Sequence, residues 1–176
     1  MHIVFTGTES TFKTAIAKRI AAHFNLSYVP EYSRTYLEEI APYTKITPLS
    51  KEDYDRIEEG QLALLYSQGY YDFQQPKIFD TDGMVLHIWK ADKFDCVDDK
   101  LLEIPRHIVY FLCYPNVAPV EDPLRVDIER RDVLHEKYMD VLNQLPNTII
   151  HLNQATLENR VLFATTEIQR LLNHSI

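Results

Sequence analysis

The sequence predicts an α/β fold in which a mostly parallel sheet of five strands carries helices on both faces. Short apolar runs recur along the chain, stretches with apolar residues at helical spacing separate them, and a loop that starts with glycine joins the first run to the first helix. Strands that alternate with helices are connected by right-handed crossovers and form a largely parallel sheet. We expect the 176 residues to form one domain.

Each predicted element follows from the spacing of its apolar residues and from the residues that interrupt it. The strands are the continuous apolar runs at 2–6, 27–30, 77–80, 107–114 and 148–152. The helices are the stretches of helical periodicity over 13–24, after 30, from 50 toward 71, around 85–90, over 133–142 and over 157–172. Ser50 is a predicted N-cap, and Pro42 and Pro48 mark the loop before it.

Composition narrows the classes of partner. The net charge is −8 and no stripe of Lys and Arg interrupts it, which argues against nucleic acid as a partner. No apolar stretch approaches about 18 residues, and the N-terminus shows no basic segment followed by an apolar one, so we expect a cytoplasmic protein without a membrane partner. A small anionic ligand needs only local donors and remains compatible, whereas the oligomeric state is not predicted.

The first strand leads directly into a phosphate-binding loop. Its residues are Gly7, Thr8, Glu9, Ser10, Thr11, Phe12, Lys13 and Thr14. In such a loop the backbone N–H groups point at anionic oxygens, the lysine adds a positive charge, and the hydroxyl holds Mg²⁺. We therefore expect all eight residues to bind ATP, Lys13 to act in catalysis, and Thr14 to bind Mg²⁺.

Phe12 departs from the loop pattern, which has glycine directly before the lysine. Glycine permits backbone angles and a close phosphate approach that a side chain resists. The Phe12 ring either points outward and leaves the loop intact, or marks a loop that no longer holds a triphosphate.

Four segments, in order, carry a family resemblance. They are Gly7 to Thr14, Glu31-Tyr32-Ser33-Arg34, Phe79-Asp80-Thr81-Asp82 and Glu121-Asp122-Pro123-Leu124-Arg125. With them the chain resembles the ribosylnicotinamide kinase domain of bacterial NAD-biosynthesis regulator proteins, which are P-loop kinases of the nucleoside and nucleotide type with an AAA-type ATPase-like domain. The resemblance covers nearly the whole chain. It implies a three-layer P-loop NTPase fold and transfer of the ATP γ-phosphate to the ribose 5′-hydroxyl of nicotinamide riboside.

Ligands of open parallel sheets bind beyond the carboxyl ends of the strands, where Glu31, Asp80 and Asp82 are expected. Phosphoryl transfer needs a carboxylate that accepts the proton of the hydroxyl and a carboxylate that holds the metal. Glu31 is the first choice for the base, as in nucleoside kinases of similar topology, and Asp82 is the second. Asp80 is expected to hold Mg²⁺ with Thr14.

Strand alternation would place Asp80 and Asp82 on one face, where Asp82 also reaches ribose hydroxyls. The alternative for Asp82 is N-capping of the next helix.

Glu31, Tyr32, Arg34 and Asp82 are the predicted substrate-binding residues. Tyr32 either stacks on a nicotinamide ring or packs in the core, and Glu31 with Arg34 could instead form a surface ion pair.

Arg125 is predicted to be catalytic, in a lid segment over 117–131 that also contains Arg130 and Arg131, at least one of them solvated. Asn153-Gln154-Ala155 is an adenine-contacting candidate by position, whereas His87 and Trp89 are interpreted as packing residues.

The leading hypothesis is an ATP- and Mg²⁺-dependent kinase of nicotinamide riboside or a related nucleoside, in NAD biosynthesis or salvage. One alternative is a non-catalytic or degenerate nucleotide-binding module with a regulatory role, which Phe12 motivates. The other is a kinase for a different nucleoside or nucleoside monophosphate.

Overall fold

The computed structural model describes residues 1–40, 49–120 and 125–174. The strands are β1 (His2–Thr6), β2 (Ser27–Val29), β3 (Lys77–Asp80), β4 (Ile108–Cys113) and β5 (Thr148–Leu152). The helices are α1 (Lys13–Phe24), α2 (Tyr32–Ile40), α3 (Lys51–Ser67), α4 (Gly83–Phe94), α5 (Arg131–Leu142) and α6 (Leu157–His174). Short 3₁₀ turns lie at Asp99–Leu102 and Ile128–Arg130. The predicted elements are thus present in the predicted order.

The five strands form one sheet in the order β2-β3-β1-β4-β5, and every neighbouring pair is parallel. β1 lies in the middle, where Ile3 is paired with Ile78 of β3 and with Val109 of β4. Because all strands run in the same direction, their carboxyl ends lie along one edge of the sheet. The predicted α/β fold class is confirmed.

Alternating side chains of the strands separate two apolar cores. On one face, Ile3 and Phe5 of β1 pack with buried residues of α1 and α6. On the other face, Val4 packs with buried residues of α3, α4 and α5. A smaller cluster joins α2 to α3 and α4 through Tyr36, Ile57 and Leu86. The sheet is therefore covered on both faces, as the alternation of strands and helices predicted.

The helix ends refine the predicted bounds. Ser50 caps α3, since its hydroxyl accepts a hydrogen bond from the Asp53 N–H and the Asp53 carboxylate accepts one from the Ser50 N–H. That predicted N-cap is confirmed, but α3 ends at Ser67 rather than near residue 71. The loop predicted at Pro42 and Pro48 lies outside the described residues. Among the described helices, none has the length and apolar character needed to cross a bilayer.

Candidate active site

The phosphate loop connects β1 to α1 and has several residues with left-handed backbone angles. Gly7 has a φ of 124°, and a Cβ there would lie 2.5 Å from the carbonyl oxygen of Cys113 in the neighbouring strand. Only glycine fits this approach. Ser10 and Phe12 also have positive φ values, of 57° and 67°. The loop thus has the tight curvature that turns successive N–H groups toward one side.

Phe12 occupies the N-cap position of α1 in the left-handed conformation. Its ring packs at the edge of the core between the sheet, α1 and α6, and lies 5.9 Å from the guanidinium carbon of Arg160. A left-handed conformation costs an L-residue about 1–2 kcal/mol relative to glycine. The backbone therefore keeps a glycine-like turn at this position while the ring is held by its packing.

Lys13, Thr14 and Asp80 lie at the junction of the loop with β3. Lys13 Nζ donates a hydrogen bond to the Thr8 carbonyl at 2.7 Å. Thr14 Oγ1 donates to Asp80 Oδ2 at 2.6 Å, and the Tyr28 hydroxyl donates to the same oxygen at 3.0 Å. Asp80 is 2% exposed, and its Oδ1 is buried without a hydrogen-bond partner.

The donor set of Thr14 and Asp80 fits a magnesium ion. Mg²⁺ prefers hard oxygen ligands and is held in kinase sites by one or two carboxylates together with substrate phosphates and water. The unpartnered Asp80 Oδ1 and the neighbouring Thr14 hydroxyl are ligands of this kind. No group of three or more His, Cys, Asp or Glu side chains in the described part of the chain forms a metal site by itself.

Glu31 follows Pro30 in the short connection from β2 to α2, and its partly buried side chain lines a cavity together with the phosphate loop. Ser33 Oγ donates to Glu31 Oε1 at 2.5 Å. Burial raises the pKa of Glu31, and the charge of Asp80 raises this pKa further, whereas Lys13, Ser33 and Arg34 oppose the shift. A carboxylate with a raised pKa is a stronger base than an ordinary one.

Asp82 lies on the opposite side of the sheet from the position that alternation predicted. It is 0% exposed, its Oδ2 accepts hydrogen bonds from Tyr70 at 2.6 Å and Tyr110 at 2.5 Å, and its Oδ1 accepts one from the Met84 N–H at 3.1 Å. Burial raises its pKa, and the three donors oppose the shift.

The reason for this position is Thr81, whose φ of 75° breaks the strand alternation, so that Asp80 and Asp82 do not share a face. A fully enclosed carboxylate reaches neither a substrate proton nor a ribose. Contrary to its prediction as an alternative base and substrate ligand, Asp82 does not border the cavity. The helix N-cap, which was the other interpretation, is what the structure shows.

Tyr32 and Arg34, predicted together, lie in different places. The Tyr32 ring packs in the cluster between α2 and α3, so close to α3 that a Cβ at Gly60 would lie 2.0 Å from the ring. It is absent from the cavity lining, so a core role replaces the predicted stacking role. Arg34 lines the cavity, and its Nη1 lies 3.8 Å from Glu38 Oε1.

The arginines after β4 contact the loop to different degrees. Arg125 lines the cavity, and its Nη1 donates hydrogen bonds to Ser10 Oγ and to the Val120 carbonyl. Arg131 Nη1 donates to the Ser10 carbonyl at 3.2 Å, whereas Arg130 forms a bidentate ion pair with Asp92. Arg125 and Arg131 thus reach the phosphate loop, and Arg130 does not. Residues 121–124 of the predicted lid lie outside the described residues.

The cavity has a volume of about 440 Å³. Its lining consists of a polar part and an apolar part. The polar part is the phosphate loop with Glu31 and Arg34, and the apolar part is formed by Leu37 of α2 and by Val85 and Trp89 of α4. Volumes of roughly 300–1,000 Å³ are typical of small-molecule sites. The sheet edge thus places an apolar wall beside a phosphate loop.

The structure also places Trp89, His87 and residues 153–155 relative to the cavity. Trp89 packs against two apolar clusters, as the sequence interpretation expected, and it also lines the cavity one helical turn after Val85. That spacing of four residues was a usable signal, because it places both side chains on one helix face. His87 does pack away from the cavity, with its Nδ1 3.0 Å from the Asp98 carbonyl. None of the residues 153–155 lines the cavity.

Comparisons with solved structures show the same fold. A crystal structure of the NadR protein in complex with NR has a TM-score of 0.69 and 21% identity, over 96% of this chain and 50% of that one. Deoxyadenosine kinase from M. mycoides has a TM-score of 0.70 and 13% identity, over 97% of this chain and 100% of that one. Thymidylate kinase from Ehrlichia chaffeensis has a TM-score of 0.68 and 15% identity, over 98% of each chain. The chain spans half the length of the NadR protein, and at these identities the likeness shows the P-loop kinase fold.

Comparison of the sequence with curated proteins finds no match. A family model described as an AAA domain matches residues 2–160, which include the phosphate loop, all five strands and Arg160. The resemblance to P-loop kinases predicted from the sequence is confirmed. Because the match covers most of the sequence, this chain belongs to the AAA domain family.

Proposed function

We propose that this chain is an ATP-dependent kinase that phosphorylates the ribose 5′-hydroxyl of nicotinamide riboside or a related nucleoside. The observation that carries the proposal is that one cavity contains both the phosphate loop and Glu31, a partly buried carboxylate just after β2, which β3 separates from β1 in the sheet. Phosphoryl transfer to a hydroxyl requires the phosphate loop, which binds ATP, and the base, which contacts the acceptor hydroxyl, to border the same site. The similarity of fold to the NadR protein solved in complex with NR supports this choice of acceptor.

Glu31 would accept the proton of the attacking hydroxyl. As the hydroxyl oxygen forms its bond to the γ-phosphorus, the bond to the β-phosphate oxygen breaks, ADP leaves, and the proton passes to the Glu31 carboxylate. The raised pKa of Glu31 suits this step, because a general base works best when its pKa approaches the working pH. The products are a nucleoside 5′-monophosphate and ADP.

The cations around the loop would neutralise the charge of the transferring group. Lys13 opens α1, whose N–H groups point toward the loop, and Arg125 reaches the loop from the segment after β4. Thr14 and Asp80 would hold Mg²⁺, which supplies further positive charge to the phosphate oxygens when bound. The remaining loop residues would bind phosphates through their backbone.

The apolar part of the cavity would take the base of the acceptor. Trp89, Leu37 and Val85 form its wall, and Trp89 replaces Tyr32 as the aromatic residue expected to contact a ring. Arg34 belongs to the polar part of the same cavity and would contact the polar groups of the acceptor. An apolar wall beside an acidic group fits a ring joined to a hydroxyl-bearing sugar.

A direct test is a transfer assay with ATP, Mg²⁺ and separate acceptors: nicotinamide riboside, the common ribo- and deoxyribonucleosides, and nucleoside monophosphates. We expect ADP formation with nicotinamide riboside, and a 5′-phosphate product identified by mass spectrometry and ³¹P NMR. Preference for another acceptor would favour a different nucleoside or nucleotide kinase. ATP binding without transfer to any acceptor would favour a non-catalytic nucleotide-binding module.

A further inference from the structure

Arg160, in the first turn of α6, is completely buried, with 0% of its surface exposed. Its Nε donates to the Gln154 carbonyl at 2.7 Å and its Nη1 to the Thr11 carbonyl at 3.0 Å. Its Nη2 donates to the Tyr114 carbonyl at 3.0 Å and to Asn116 Oδ1 at 2.5 Å. All four acceptors are neutral, and within the described residues no carboxylate pairs with this guanidinium. A buried cation normally requires an anionic partner.

The bond to the Thr11 carbonyl fixes the orientation of one peptide group of the phosphate loop. A trans peptide is planar, with its C=O and N–H pointing in opposite directions. Since the Thr11 carbonyl points at Arg160, the N–H of Phe12 points away from Arg160. Both Thr11 and Phe12 line the cavity, whereas Arg160 does not. Arg160 thus holds the loop from behind.

The same guanidinium lies against the ring of Phe12, the residue that stands in place of glycine. Arg160 thus contacts both residues at this turn. It binds the carbonyl of Thr11, and it lies against the ring of Phe12, which has the left-handed conformation. It also ties the loop to the segments after β4 and β5, through Asn116 and Gln154. A conformation that glycine adopts freely is here held by specific contacts.

We propose that Arg160 is a positioning residue for nucleotide binding. It holds the Thr11–Phe12 peptide so that the Phe12 N–H faces a phosphate oxygen, and its charge, which no described carboxylate balances, favours an anion on the other side of the loop. This inference rests on the proposed function, because it requires a phosphate ligand at the loop.

The test compares two substitutions of Arg160 with a matched control on the same helix. Arg160→Lys keeps the charge and loses the planar fork, and Arg160→Gln loses both. Ile168→Ala is the control, because Ile168 is also fully buried on α6 but belongs to the apolar core. The dissociation constants of ATP and of inorganic triphosphate are measured by calorimetry, thermal unfolding is followed in parallel, and KM is measured for the acceptor.

We expect Arg160→Lys to weaken ATP and triphosphate binding about 10-fold, and Arg160→Gln to weaken it further. The KM of the acceptor should stay unchanged. Ile168→Ala should lower the melting temperature and leave ATP affinity unchanged. Phe12→Gly introduced into the Arg160→Lys protein should restore part of the lost affinity, because glycine needs no contacts to keep the turn.

A second, milder variant keeps the proposal testable if the Arg160 variants fail to fold. Asn116→Ala removes one acceptor of Arg160 at an exposed position and should weaken ATP binding in the same direction. Wild-type ATP affinity in the folded Arg160 variants, or in Asn116→Ala where those are unfolded, would overturn the role of Arg160 and leave the kinase proposal standing. Absence of any ATP or triphosphate binding by the wild-type protein would overturn both.

Discussion

Glu31 and Asp82 follow neighbouring strands of the sheet and have opposite environments. Glu31 opens onto the cavity beside the phosphate loop, whereas Asp82 is enclosed by Tyr70, Tyr110 and the start of α4. Burial raises the pKa of both carboxyl groups, so a perturbed pKa alone does not distinguish a base from a structural carboxylate. The end of a parallel strand determines which edge of the sheet a residue reaches, but the local backbone determines which face its side chain takes.

The largest expected effect is on the rate of transfer in Glu31→Gln. This substitution keeps the size of the side chain and removes the proton acceptor, so kcat should fall about 10²–10⁴-fold. The dissociation constant of ATP should stay within the error of the measurement, since Glu31 lies after β2 rather than in the phosphate loop. Steady-state kinetics and calorimetry measure the two quantities. A kcat near the wild-type value would exclude Glu31 as the base.

Asp82→Ala should affect stability where Glu31→Gln affects rate. It removes the N-cap of α4, worth about 1 kcal/mol, and leaves two buried tyrosine hydroxyls without their acceptor, at about 1–3 kcal/mol each. We expect the free energy of unfolding in urea to fall by at least about 3 kcal/mol. Asp82→Asn, which retains one acceptor oxygen, should lose less.

The kcat of folded Asp82→Ala should remain within a few-fold of wild type. A loss of transfer comparable to that of Glu31→Gln, with normal folding, would return Asp82 to the catalytic set.

Gly60→Ala tests the close packing of α2 against α3 at Tyr32. In most helix interiors this change stabilises a protein by about 1 kcal/mol. Here the new methyl group would lie 2.0 Å from the Tyr32 ring, so we expect a net destabilisation of about 1–3 kcal/mol in urea unfolding. Tyr32→Ala combined with Gly60→Ala should relieve the clash, and the pair should be more stable than the sum of the single effects predicts. A more stable Gly60→Ala protein would contradict this packing.

The smallest expected effect is the pH dependence that Glu31 contributes. Its pKa is raised in the folded protein, so the folded state holds the proton more tightly than the unfolded state does. Its contribution to stability therefore falls as the pH rises from the unfolded pKa to the folded pKa. Glu31→Gln should match the wild type in acid and become slightly more stable above that window. Urea unfolding at several pH values measures the difference.

The activity of the wild type should change in the opposite direction with pH. Transfer requires the deprotonated base, so kcat/KM should rise with pH through the raised pKa of Glu31, and this limb should be absent from the residual activity of Glu31→Gln. A wild-type profile without that limb would contradict the assignment.

The fold could be predicted from the sequence because its signals are local. Continuous apolar runs mark buried parallel strands, and the eight residues from Gly7 to Thr14 carry a loop pattern in its expected context between a strand and a helix. Ser50 could be recognised as an N-cap from its position alone. Such features depend on residues a few positions apart.

The site was harder to predict because it depends on contacts between distant residues and on backbone angles. The sequence Asp80-Thr81-Asp82 gives no indication that Thr81 has a positive φ, which turns Asp82 away from Asp80. Trp89 could have been found from its spacing with Val85, but only with the knowledge that this helix face borders a cavity. Arg160 gave no signal, because a lone arginine on a periodic helix is normally solvated, and its partner Thr11 is 149 positions away.

The contact between Arg160 and the phosphate loop joins residues far apart in the sequence, which affects the order in which parts of the chain fold during synthesis. The phosphate loop lies between β1 and α1, and the side chain that supports it from behind belongs to α6, where Arg160 is 149 positions after Thr11. During synthesis from the N-terminus, the loop therefore leaves the ribosome long before this support exists. Its full set of contacts forms only when α6 docks, so the loop is completed late although it precedes α6 in the sequence.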